Sequence, residues 1–179
     1  MAKIIAARRY AKALYALSRE QSAVEAVRQD LDALVNMMDA SEDWKNFILN
    51  PVGSHTVRAN IINQLLNGKV HDITLRFLRF IDLRLRINLL PEIRDAWMAL
   101  YDENNGILRG LVISAVELDA DQVNRLAARI AGRYGKKVEL NTGVDASMIG
   151  GLKVFIGDEV HDFSISSQLE QLKKRMIYA

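Results

Sequence analysis

The 179-residue sequence predicts a mostly α-helical protein with a smaller α+β part: an N-terminal six-helix bundle followed by a small C-terminal α/β module. Three observations carry this. Apolar residues recur at steps of three and four through about residue 105. Pro51, Asn67-Gly68, Pro91 and Asn104-Asn105-Gly106 cut that periodicity into short segments. After Gly106 the pattern changes to short β-branched runs separated by glycines. The two parts are therefore residues 1–105 and 106–179.

The first helix carries Ala7, Tyr10, Leu14 and Leu17 on one stripe. Val24, Val27, Leu31, Leu34 and Met38 form a second, with its start expected near Gln21 or Ser22. Trp44, Phe47 and Ile48 mark a short third helix, which must stop near Asn50 because Pro51 disfavours helical backbone before it. Ser54 opens a fourth, with the stripe Val57, Ile61 and Leu65, closed by Asn67-Gly68. A fifth is expected from about Asp72 to Leu89. Its Leu75, Phe77, Leu78, Phe80 and Ile81 cover more than half the circumference, so it is either central or presents a second apolar surface. Pro91 opens a sixth, with Ile93, Trp97, Leu100 and Tyr101.

Beyond Gly106, residues 107–116 read as a strand. Asp119 or Asp121 caps a helix bearing Val123, Leu126, Ile130 and Tyr134, closed by Gly135. Residues 137–140 and 152–156 read as strands. Gly157-Asp158 turns the latter into a hairpin with residues 159–163. Ile165, Leu169, Leu172 and Met176 stripe a last helix.

Composition narrows function. There are no cysteines, which excludes disulfides, thiolate catalysis and Cys-ligated zinc. No apolar run approaches the ~20 residues of a membrane span. Lys and Arg number 14 against 13 Asp and Glu up to Gly106, and 10 against 9 after it, summing to the chain's 24 and 22. Neither part has the basic excess of a nucleic-acid binder. Lys3, Arg8, Arg9, Lys12 and Arg19 stand without an acid in the first nineteen residues. A basic outer face on a first helix explains them better than an organellar leader, since serine richness is missing.

Reacting groups are equally hard to assemble. His55, His71 and His161 fall in different elements outside any metal pattern, and are expected as surface or capping residues. The glycines fit neither a phosphate loop nor a dinucleotide fingerprint. Asp158, Glu159 and Asp162 cluster at the hairpin but lack the remaining ligands of a calcium loop. Arg76, Arg79, Arg84 and Arg86 spread around the fifth helix, as a solvated rim does. No catalytic residue, cofactor or metal is expected.

Two segments carry a family resemblance. Ala7-Arg8-Arg9-Tyr10-Ala11-Lys12-Ala13-Leu14 is similar to the R-x-Y-A-x-A-[LF] opening of ATP synthase δ subunits and of the mitochondrial oligomycin-sensitivity-conferring protein. Val144-Asp145 and Ile149-Gly150-Gly151, then Ile156-Gly157-Asp158, Val160, Asp162, Ser164, Leu169 and Leu172, resemble the V-D-x-x-[LIM]-I-G-G…I-G-D-x-V-x-D-x-S…L-x-x-L signature of the same family. Arg86 to Pro91 and Ser114-Ala115 resemble its linker and its S-A pair. Phe163 departs from the usual glycine, and Met148 from the usual leucine.

The resemblance implies a structural subunit of F1Fo ATP synthase, peripheral at the cytoplasmic face of the membrane and needed for ATP synthesis coupled to proton or sodium transport. The bundle would bind the N-termini of the F1 α subunits in a groove between helices one and five. By position this points to Tyr10, Ala13 and Leu14 with Phe77, Phe80 and Ile81. The C-terminal module would bind the Fo b subunits, with Leu169, Leu172 and Met176 on its last helix. The alternative is an RNA-binding helical adaptor resembling antitermination factors of the NusB type, which the near-neutral charge disfavours.

Overall fold

In the computed structural model, residues 2–50, 54–157 and 159–177 are described. They form a mostly helical protein with one four-stranded mixed sheet toward the C-terminus and eight α-helices. The chain divides into two compact units, Met1–Tyr101 and Asp102–Ala179.

The first unit holds α1 (Ala2–Glu20), α2 (Val24–Ala40), α3 (Glu42–Leu49), α4 (His55–Leu66), α5 (Asp72–Leu83), a 3-10 turn at Ile87–Leu89, and most of α6 (Leu90–Asn105), whose last turn from Asp102 belongs to the second unit. One core of Leu14, Leu31, Leu34, Ile48, Ile62, Leu78, Ile81, Ile93 and Trp97 joins them. Fully burying such a side chain stabilises by roughly 1.5–3 kcal/mol. Tyr15 meets the Trp97 ring edge-on at 5.4 Å, and Tyr101 stacks on it at 5.7 Å.

Several ends are set by named contacts. Ser41 and Ser54 cap α3 and α4 through the amides of Trp44 and Val57. His71 caps α5, its Nδ1 accepting from the Ile73 amide at 3.3 Å. Asp30 of α2 reaches the same end, accepting from the His71 amide at 2.8 Å and the Thr74 hydroxyl at 2.6 Å. Pro51 lies outside the described residues.

Three expectations need correction. Helix α2 starts at Val24 without a side-chain cap, because Ser22 instead occupies the left-handed region (φ +53°) that turns the chain out of α1. Helix α5 ends at Leu83, well short of Leu89. The Arg86 amide donates to Ile81 O and the Leu85 amide to Asp82 O, both at 2.8 Å, a Schellman closure with Leu85 at φ +54°. Finally, Val57 and Leu65 of the expected α4 stripe are exposed. The buried face, one residue later, is Arg58, Ile62 and Leu66.

That shift has a polar cause. Arg58 and Asp82 are 3% and 1% exposed, with Nε to Oδ1 at 2.7 Å. Arg58 Nη2 also donates to Phe47 O at 3.0 Å, and the guanidinium lies 4.1 Å from the Phe47 ring centre. An apolar scan skips an arginine, yet here it occupies the core position that phases α4 against α5.

In the second unit, β1 (Ile107–Ser114) is followed by α7 (Ala120–Tyr134), β2 (Lys137–Val144), β3 (Leu152–Ile156), β4 (Glu159–Asp162) and α8 (Ile165–Ile177). The sheet order is β2-β1-β3-β4, with β1 parallel to β2 and both other pairs antiparallel. A parallel pair needs a crossover, which α7 supplies. Asp119, not Asp121, caps α7 in a reciprocal box with Gln122, and Gly135 closes it at φ +63°. The small core is Val112, Val154 and Ile156 under Leu126, Ile130 and Tyr134. Asp158, the expected hairpin residue, lies outside the described residues.

Candidate partner-binding surfaces

The six groove residues divide into floor and lining. Leu14, Phe77 and Ile81 belong to the buried core, so none of them presents a side chain to a partner. They hold α1 against α5. Tyr10, Ala13 and Phe80 do line an open groove of about 630 Å³, together with Ile5, Ala6, Arg9 and Arg86. Phe80 is 46% exposed, and its ring meets Tyr10 edge-to-face at 6.2 Å. Ala13 is exposed between larger neighbours, which leaves room for another backbone to approach.

The sequence expects Tyr10 and Phe80 at this groove and Arg84 and Arg86 on a solvated rim; both rings line it and both arginines are exposed. Arg84 and Arg86 flank Leu85 at the α5 terminus, and the exposed Leu83 and Leu85 extend the apolar surface there. A non-glycine residue held at positive φ costs of order 1–3 kcal/mol. Leu85 is 64% exposed, so its side chain returns little of that cost by burial. Leu85→Gly is therefore expected to raise stability by about 1 kcal/mol, measured by urea denaturation, with the fold unchanged.

In the second unit Leu169, Leu172 and Met176 are 54%, 53% and 82% exposed, and Ile165 is exposed beside them. The last helix thus carries an apolar stripe that nothing in its own unit covers. Its start is anchored tightly. Asp162 accepts from the Ser164 amide and the Ser167 hydroxyl, both at 2.8 Å, and Lys153 Nζ lies 3.5 Å away. Those hydrogen bonds, chiefly from Ser164, push the Asp162 carboxyl well below the usual range.

The glycine pair explains the path into α8. A Cβ on Gly151 (φ +85°) would stand 2.3 Å from Phe163 O, and one on Gly150 would stand 2.6 Å from Ile165 Cδ1. The two glycines let the chain leading into α8 cross directly over them. Phe163 is accommodated: its amide pairs with Leu152 O at 2.9 Å, while its ring points outward and stacks with His161.

Because the folded Asp162 pKa is depressed, its contribution is present above the unfolded carboxylate value of ~3.9 and fades as pH falls below it. Asp162→Ala should lower the melting temperature at neutral pH. The gap to wild type should narrow in a series of melts taken below that value.

A third cluster joins Tyr134, Glu159 and His161. The Tyr134 hydroxyl is 2.5 Å from Glu159 Oε2 and 3.2 Å from His161 Nε2. This hydrogen bond raises the tyrosine pKa and lowers that of the carboxylate. Tyr134 and His161 edge an apolar recess of about 320 Å³ between α7 and the sheet, lined also by Leu126, Ile130, Val154 and Phe163. Glu159 and Asp162, considered as ion ligands in the sequence, are engaged in separate contacts with Tyr134 and Ser167. Among the described residues no group of three or more His, Asp or Glu is placed to hold a metal ion. Nor is any helix among them long and apolar enough to cross a membrane.

Comparison with known proteins places the chain in a family. The model of the ATP synthase delta (OSCP) subunit family matches residues 6–176. "ATP synthase subunit delta" of Chlorobium phaeobacteroides (strain BS1) is 35% identical, covering 97% of this chain and 96% of its own. The protein of the same name from Lactobacillus gasseri is 34% identical, over 96% and 94%. A chain of the Toxoplasma gondii mitochondrial ATP synthase hexamer shares the fold, with a TM-score of 0.73 at 23% identity over 96% of this chain and 97% of that one. Nothing among these matches favours the RNA-binding alternative. Over nearly its whole length, then, the chain belongs to the ATP synthase delta (OSCP) subunit family.

Proposed function

We propose that this chain is a two-ended mechanical connector. Family membership makes it a non-catalytic component of the ATP synthase peripheral stalk. In the finer reading, residues 1–105 act as a six-helix bundle that binds the N-termini of the F1 α subunits. Residues 106–179 bind the Fo b subunits, and the chain thereby sits at the cytoplasmic face of the membrane.

The observation that carries this reading is the groove at Tyr10, Ala13 and Phe80, open to solvent with two aromatic rings in its wall. An amphipathic helix seats in such a groove through anchors at helical spacing. The exposed stripe Leu169, Leu172 and Met176 gives the other end an equivalent surface. Torque on the head is then resisted by two helix-docking interfaces, with no bond made or broken.

The test is calorimetric titration of the full chain with an α-subunit N-terminal peptide and, separately, with the soluble part of b. Saturable binding of each is expected. A chain that binds neither would refute the proposal.

A further inference from the structure

The rim of the α1–α5 groove is cationic, and two of its cations are held on the groove's own rings. The Arg84 guanidinium lies 5.6 Å from the centre of Phe80, and that of Arg86 lies 5.8 Å from the centre of Tyr10. Arg9 joins them from α1. All three are exposed, and among the described residues none forms an ion pair with a carboxylate. Elsewhere in this unit Arg28 pairs with Glu25, Arg94 with Asp32, and Arg58 with Asp82, while Arg8, Arg19, Arg76 and Arg79 also form no ion pair with a carboxylate among the described residues.

What sets Arg84 and Arg86 apart from those other arginines is the aromatic ring beneath each. A guanidinium resting on an aromatic face keeps its N–H edge outward and loses little freedom when a carboxylate arrives. The left-handed turn at Leu85 sets Arg84 and Arg86 on either side of it, beside the two rings.

We infer that Arg9, Arg84 and Arg86 are carboxylate clamps, so that the groove selects an acidic amphipathic helix with Asp or Glu flanking its apolar stripe. This rests on the groove reading above and adds the charge that decides which helix is accepted. Two observations favour a helix over an anionic membrane or a nucleic acid. The floor between the clamps is apolar, and the first 105 residues are close to neutral, at 14 basic against 13 acidic side chains.

The experiment titrates the full chain with the α-subunit N-terminal peptide, and with the same peptide carrying Asn and Gln for its Asp and Glu. It is run at about 50 mM and about 300 mM salt, on either side of the ionic strength where the Debye length is near 10 Å. Wild type, Arg84→Gln/Arg86→Gln and Ala13→Trp are compared, with melting curves confirming that each is folded.

At low salt the clamp hypothesis expects the arginine double variant, and the neutralised peptide on wild type, to bind about tenfold more weakly. Both should lose most of their salt dependence. Arg84→Lys/Arg86→Lys should recover only part of the affinity, because lysine keeps the charge but not the planar stacking.

If Ala13→Trp abolishes binding while the glutamine variant matches wild type at both salts, the groove stands and the clamps are refuted. If Ala13→Trp binds like wild type, the groove reading itself fails. Should the glutamine variant lose binding only to anionic phospholipid vesicles, the arginines serve a membrane and the proposal is overturned.

Discussion

Arg58→Met should cost the first unit about 3–5 kcal/mol, the scale of removing one partner of a buried ion pair. The substitution leaves the Asp82 carboxylate, 1% exposed, without the guanidinium 2.7 Å away. It also removes the donor to Phe47 O and the cation over the Phe47 ring. Pairing it with Asp82→Leu should recover most of the loss, since two apolar side chains of similar volume leave no buried charge unmatched. Chemical denaturation of the two variants measures both. A single variant as stable as wild type would mean that the pair contributes nothing to holding α4 on α5.

The second large effect concerns binding. Ala13→Trp places an indole in the groove at an exposed position, so its effect on folding should stay within about 0.5 kcal/mol. Affinity for the α-subunit peptide should fall about 30-fold or more, the scale of a central interface anchor. Tyr10→Asp should act in the same direction by putting a charge opposite the peptide's apolar stripe. Calorimetry and melting curves on the same preparations separate lost binding from lost structure.

These two positions also show what the sequence reveals and what it hides. Helical periodicity located the eight helices of the described residues, and the change of pattern after Gly106 located the sheet. It failed where the buried face includes a charge. Ile62 and Leu66 are apolar and in phase, but Arg58 breaks their stripe, so Val57, Ile61 and Leu65 look like the better face. Only the partner on another helix shows that Arg58 belongs inside, and a pairing across 24 positions leaves no local signal.

The end of α5 was hidden for a similar reason. A Schellman turn normally advertises itself with glycine, and here leucine takes the left-handed position. The candidate surfaces were half legible. The excess of apolar residues on α5 allowed either a central helix or a second apolar surface, and spacing alone did not separate Phe80 from the buried Phe77 and Ile81. The stripe on α8 was legible throughout, because no second element competes for it.

The connector account is tested most directly by asking whether the chain bridges. F1 lacking this subunit is mixed with the soluble part of b, with and without the purified chain, and the complexes are weighed by native mass spectrometry. The account predicts that F1 and b appear in one particle only when the chain is present. It predicts further that Ala13→Trp leaves the chain on b but off F1. A particle containing F1 and b without the chain, or a chain that releases b whenever it binds F1, would contradict it.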